Sequence, residues 1–215
     1  MKKLTITLVV MAVVLSLPGL LSAQYFMSQL SDARTIDDDA VVIGGGVSIF
    51  ENDVLGVGGN VRIGVMEGLE IGGRGGFINF SGGNGEDHTG ITIGGDIKYQ
   101  IMDVAYGDAV DLAIGGGIEY YNYPADITVW MFGANTIVSY PVEFQGGQIL
   151  SPFFRLNTRL DRASANGNSD TDFNLGFGFG AMFDITKMFG FFGEVNITGG
   201  DASGDGFIAG VWFGM

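Results

Sequence analysis

The run GITIGGDIKYQIM, residues 90–102, puts Ile91, Ile93, Ile97, Tyr99 and Ile101 on one parity and Thr92, Asp96, Lys98 and Gln100 on the other. A period of two marks a β-strand, whose successive side chains point to opposite faces of a sheet. In a sheet surrounded by water the isoleucines form the core, and Asp96 and Lys98 are solvated. In a sheet closed on itself and surrounded by hydrocarbon the assignment inverts. The rest of the chain decides between the two.

The same nine-residue pattern recurs as VVIGGGVSI (41–49), LGVGGNVRI (55–63), LEIGGRGGF (69–77), ITIGGDIKY (91–99), LAIGGGIEY (112–120) and LGFGFGAMF (175–183). The first, third and ninth places are apolar and the fourth is glycine in every copy. Alternating runs at 127–140, 149–160, 189–198 and 207–215 complete a set of about ten strands, or eight if two runs merge, with no helical period between them. These runs exceed the ~5 to 6 residues of an ordinary strand. The breaks alternate as well. SGGNGEDHTG and DRASANGNSDTD, long and polar, are the third and seventh, whereas the tight MEG and DITKMFG are the second and eighth. An up-and-down meander therefore has a long-loop end and a short-turn end.

Three observations select the inverted assignment. Trp130 and Tyr140 share a parity ten residues apart, as do Val110 with Tyr120 and Phe173 with Phe183. Ten residues of tilted strand cover about 25 Å, the height of a lipid-facing apolar band between two aromatic girdles. Candidate girdle residues are Tyr99, Tyr120, Trp130, Tyr140, Phe183 and Phe213. Second, charged residues make up only 16% of the chain, with Lys and Arg numbering 10, too few to coat a sheet in water, where ~25 to 35% is usual for the surface. Third, Glu70, Asp96, Asp111, Glu119 and Glu194 share the inward parity with Arg62, Arg74, Lys98, Arg155 and Arg159. Equal numbers of acids and bases suit an enclosed space, since an unpaired buried charge costs several kcal/mol while a paired one approaches break-even.

The sequence thus predicts an all-β, transmembrane, antiparallel up-and-down barrel with a charge-balanced polar lumen. Arg74 is expected to pair with Asp96, and Lys98 with Asp111 or Glu70. Inward glycines such as Gly94, Gly115 and Gly178 leave volume for the arginines, and glycine also permits the bulges that a narrow barrel needs. The run 127–140 departs from the pattern: Ile127, Val129, Met131 and Ile137 fall on the inward parity, which predicts an apolar patch of lumen wall or a slip of register.

The chain opens MKKLTITLVVMAVVLSLPGLLSAQ: two lysines, an apolar run, Pro18 and Gly19, then Ser22 and Ala23. This is the layout of a secretory signal peptide, predicted over residues 1–23. Residues 24–39, ending in Asp37, Asp38 and Asp39, read as a loosely held periplasmic lead-in, and residues 40–215 as the barrel. Without cysteine there is no disulfide framework, thiolate metal site or lipid-modified cysteine. A net charge of −14 excludes a nucleic-acid partner. No apolar run after the signal reaches the ~18 residues of a spanning helix.

The signal, the meander, the strand repeat and the final FIAGVWFGM (207–215) together resemble the small bacterial outer-membrane β-barrel proteins, a class that includes the OmpA-like and OmpX-like barrels. The resemblance covers residues 40–215 at the level of the class. It implies an outer-membrane location, contact with outer-membrane lipids, both termini on the periplasmic side, and insertion by the outer-membrane barrel assembly machinery. That machinery reads a terminal aromatic residue; here Phe207, Val211 and Phe213 keep the alternation and the last residue is Met215.

Few residues suggest chemistry. His88, the single histidine, lies in NGEDHTG and reads as a solvated loop residue; a barrel hydrolase would need it folded onto Ser81 and Asp87. The acidic loops NGNSDTD (166–172) and GGDASGDG (199–206) are candidates for sharing divalent cations with lipid phosphates. The GxG repeats sit in mid-strand with no following helix, so they have no phosphate cradle to offer. The expected function is a non-enzymatic barrel without a cofactor, either a narrow pore or a plugged structural protein. The alternatives are a surface-binding or adhesion module using acidic extracellular loops, and a barrel hydrolase.

Overall fold

In a computed structural model, residues 31–50, 54–81, 87–123, 127–165, 168–199 and 205–215 are described, and the statements that follow concern those residues. The alternating runs form β1 (Val41–Phe50), β2 (Val54–Met66), β3 (Leu69–Ser81), β4 (Asp87–Met102), β5 (Asp111–Tyr123), β6 (Ile127–Ser139), β8 (Ile149–Ala165), β9 (Asn168–Thr186), β10 (Phe189–Gly199) and β11 (Gly206–Gly214); a two-residue β7 (Val142–Glu143) lies along the start of β8. Each wall strand pairs antiparallel with its neighbours in sequence, β6 pairs with β8, and β1 pairs with β11 to close a ten-stranded barrel. Closure leaves no sheet edge, the condition for a sheet to stand in hydrocarbon where no water satisfies a free N–H or C=O.

At the rim that carries Val41 and Met215, β2–β3 and β9–β10 are joined by the tight turns 67–68 and 187–188, whereas the connections 103–110 and 140–148 are longer. Gly68, at a φ of 75°, makes the tight turn between β2 and β3, a conformation that favours glycine. Ladder irregularities fall on this same rim, between Gly64 and Met66, Gln100 and Met102, and Phe189 and Gly190. Such bulges add local twist where a narrow barrel curls most.

The faces are inverted relative to a water-soluble sheet. Ile93 is 63% exposed on the outer wall, whereas Lys98, five residues on, is 0% exposed inside. Strand β6 keeps an unbroken register with β5 and β8, so its apolar parity is a patch of lumen wall and not a slip. Met131 packs there with Ile78 and Tyr121, and Ile137 joins a second apolar cluster with Phe153, Met182, Phe192, Ile208 and Trp212. Ile127, at the strand's outer end, stays exposed.

Two stretches read as loops are strand. DRASANGNSDTD continues β8 to Ala165 and opens β9 at Asn168, with Arg162 opposite Thr171 and Ser164 opposite Ser169. Above the membrane neither face needs to be apolar, so the two-residue hydrophobic period vanishes while backbone pairing persists. His88 is likewise a strand residue, on β4 opposite Phe80, with Ser81 opposite Asp87. The lead-in differs most. Ser31, Asp32 and Ala33 are buried within the barrel, and the chain leaves it at exposed Asp37 and Asp38. It turns into β1 at Asp39, the one described non-glycine residue with a positive φ, 59°.

Candidate functional site

The lumen is filled by side chains whose partners are set by strand register. Glu70 on β3 stands opposite Lys98 on β4, and Lys98 Nζ lies 3.0 Å from Glu70 Oε1. Arg62, Gly72 and Asp96 share one cross-strand row over β2, β3 and β4. With no side chain at Gly72 to block it, Arg62 Nη2 reaches Asp96 Oδ1 at 2.8 Å and also Glu70 Oε1 at 2.6 Å. The next row repeats the device: Arg74, Gly94 and Glu119 align over β3, β4 and β5, and Arg74 pairs with Glu119 over the glycine and with Asp96 Oδ2 at 3.2 Å. Tyr121 donates its hydroxyl to Glu119 Oε2 at 2.9 Å. The outcome is an unbroken chain from Lys98 through Glu70, Arg62, Asp96, Arg74 and Glu119 to Tyr121, every member buried.

On the opposite wall Arg155 Nε lies 3.5 Å from Glu194 Oε1, and Arg159 Nε lies 2.6 Å from Asp161 Oδ1. Asn174 donates to Asp161 Oδ2 at 2.9 Å. Asp111 is buried but meets no lysine; its Oδ1 accepts the Val104 N–H at 2.8 Å. Of the two partners expected for Lys98, the structure provides Glu70.

Among the described residues, buried acids outnumber buried bases in the lumen. Eight carboxylates, from Asp32, Glu70, Asp96, Asp111, Glu119, Asp161, Asp184 and Glu194, are buried against five cations, Arg62, Arg74, Lys98, Arg155 and Arg159. The three acids absent from the sequence reading had no apolar pattern to place them. Asp161 lies beyond the last alternating residue of β8, Asp184 sits in the DITKMFG break that β9 absorbs, and Asp32 arrives with the lead-in. Half-buried Arg34 offsets part of the excess, with Nη2 2.7 Å from Asp32 Oδ2 and Nη1 2.9 Å from Asp184 Oδ2. Burial works against its charge, but the two carboxylates more than compensate, and its pKa is raised.

The six candidate girdle residues stand on the outer wall, divided between the two rims. Tyr120 and Trp130, opposite each other on β5 and β6 with ring centroids 4.7 Å apart, mark the loop end. Tyr99, Tyr140, Phe183 and Phe213 mark the other, where Phe213 packs on Phe189 at 5.0 Å. Among the described residues no three His, Asp or Glu side chains gather to hold a metal ion; residues 166–167 and 200–204 of the acidic loops lie outside the described set.

A closed antiparallel sheet with an apolar outer wall, aromatic rims and ionised side chains inside defines an integral outer-membrane β-barrel. No family model and no curated protein matches the chain. Among solved structures, the β domain of the Bordetella autotransporter BrkA is 12% identical with a TM-score of 0.54, over 82% of this chain and 98% of that one. The N-terminal barrel of Pseudomonas aeruginosa OprF is 11% identical (TM-score 0.36; 83% and 98% covered), and Yersinia pestis Ail 11% (0.31; 84% and 100%). The likeness to the BrkA domain establishes the shared fold.

Proposed function

We propose that this chain is a plugged, non-enzymatic outer-membrane barrel, seated among outer-membrane lipids and inserted by the barrel assembly machinery, whose lumen is closed to solutes. The observation that supports this reading is the buried chain of ion pairs across β2, β3, β4 and β5, which places charged side chains where a porin has its aqueous channel. Reconstitution into a planar bilayer tests it. The wild type is expected to be silent, and the double variant Arg74→Ala/Glu119→Ala, which removes both members of one ion pair, to give stable steps. Those steps should favour cations, since carboxylates outnumber cations in the lumen. Large stable steps from the wild type would contradict closure.

A surface-binding role has one observation in its favour. Residues 168–173 of β9 are exposed on both faces, so the β8–β9 hairpin stands clear of the lumen and presents Asp170 and Asp172.

A further inference from the structure

We propose that the end of the lumen nearest Val41 and Met215 is a peptide-binding site that reads the main chain of an irregular segment bent at Ala33, with residues 31–36 as the ligand it holds in cis. This goes beyond closure of the lumen and does not require it.

Wall side chains meet seven of the segment's backbone groups. Lys98 Nζ donates to the carbonyls of Asp32 (2.9 Å) and Arg34 (2.6 Å) and to Ser31 Oγ (3.0 Å). Arg155 Nη2 donates to the Ser31 carbonyl at 2.7 Å. The N–H groups are met in turn: Asp32 by Met182 Sδ (3.1 Å), Ala33 by Ser139 Oγ (3.2 Å), Thr35 by Gln100 Oε1 (2.8 Å) and Ile36 by Glu70 Oε2 (3.0 Å). These six wall residues come from β3, β4, β6, β8 and β9, so the barrel itself positions them.

Two features set what fits. Ala33 is 0% exposed against the apolar cluster around Ile137 and Trp212, which restricts that position to a small side chain. Asp32 and Arg34 pair with each other, and Arg34 also pairs with Asp184. The ligand class is therefore a short peptide, bent at a small residue flanked by an acid and a base. Lys98 points the same way. It is fully buried, and its one described carboxylate partner, Glu70, is shared with Arg62, so the peptide oxygens satisfy an ammonium that is otherwise expensive to bury. At Gly64 an added Cβ would strike the Asp37 carbonyl, so the wall also leaves room where the segment exits.

The chain has no cysteine, so one engineered thiol reports on one place. In the full-length protein, Ala33→Cys should react with a water-soluble maleimide at least about tenfold more slowly than Asp38→Cys, and Lys98→Met should speed it by about tenfold, the worth of one charge-assisted hydrogen bond. A second measurement uses a protease site inserted between Asp37 and Asp38 and cut after folding. The freed segment should copurify and exchange with a labelled peptide of residues 24–36, while the same peptide carrying Ala33→Trp should not compete. Equal maleimide rates at positions 33 and 38, or equal competition by the Ala33→Trp peptide, would overturn the site. Neither readout is conductance, so an occupied but leaky barrel and a sealed one with an empty site are told apart.

Discussion

Arg62 on β2 and Asp96 on β4 lie two strands apart, yet their side chains meet at 2.8 Å because the residue between them is Gly72. The same geometry joins Arg74 to Glu119 over Gly94. Both glycines occupy the fourth place of the nine-residue repeat, the inward place in all six copies. In these two copies the glycine is a pass-over point for an ion pair, and its missing side chain contributes to the interior as directly as a present one.

Filling these points should therefore be costly. A Cβ at Gly94 would stand 2.6 Å from Glu119 Cγ and 2.8 Å from the Ile118 carbonyl, and one at Gly72 2.9 Å from Arg62 Nη1, whereas at outward Gly73 nothing lies within 4 Å. Gly72→Val and Gly94→Val should each lower stability by about 1–3 kcal/mol in urea unfolding from lipid vesicles, with Gly73→Val near neutral. Equal losses at positions 72 and 73 would refute the pass-over role.

Removing the shared cation should cost more. Arg62→Met strands Glu70 and Asp96 on one side, and breaking a buried pair typically costs about 3–5 kcal/mol. Adding Asp96→Asn should recover part of that loss, because the second change removes the charge left unpaired. Strictly additive losses would mean that the two side chains do not interact.

The fold was legible because each wall strand has two chemically distinct faces, and a period of two survives in any reading frame. Ile93 and Ile97 put Asp96 and Lys98 together on the opposite face, and the girdle spacing, the scarcity of charge and the inward acids and bases of the other strands then turned that face inward. The partner of Arg62 could not, since the row linking it to Asp96 depends on registers set by the MEG turn and a bulge between Gly64 and Met66. Asp161 was missed because the alternation stops at Leu160 while the strand does not. The buried lead-in left no hydrophobic trace, because residues 31–36 are held largely through backbone groups and polar side chains, with Ala33 the one side chain in the apolar cluster.

Position on the outer wall should govern the cost of a charge there. Ile93→Arg, in mid-band, should destabilise by about 2–4 kcal/mol, and Tyr99→Arg, at the rim, by about 0–1 kcal/mol. Unfolding midpoints of the two variants in one lipid measure the difference. Equal costs would mean that these residues do not sit at different depths of one membrane.

The most direct measurement uses the two native tryptophans, Trp130 at 42% exposure on the outer wall and Trp212 at 8% inside. Single-tryptophan variants, made with Trp212→Phe or Trp130→Phe, are folded into vesicles whose acyl chains carry bromine near the headgroup. The inverted arrangement predicts strong quenching of Trp130 and little of Trp212. Quenching of Trp212 equal to or above that of Trp130 would contradict it.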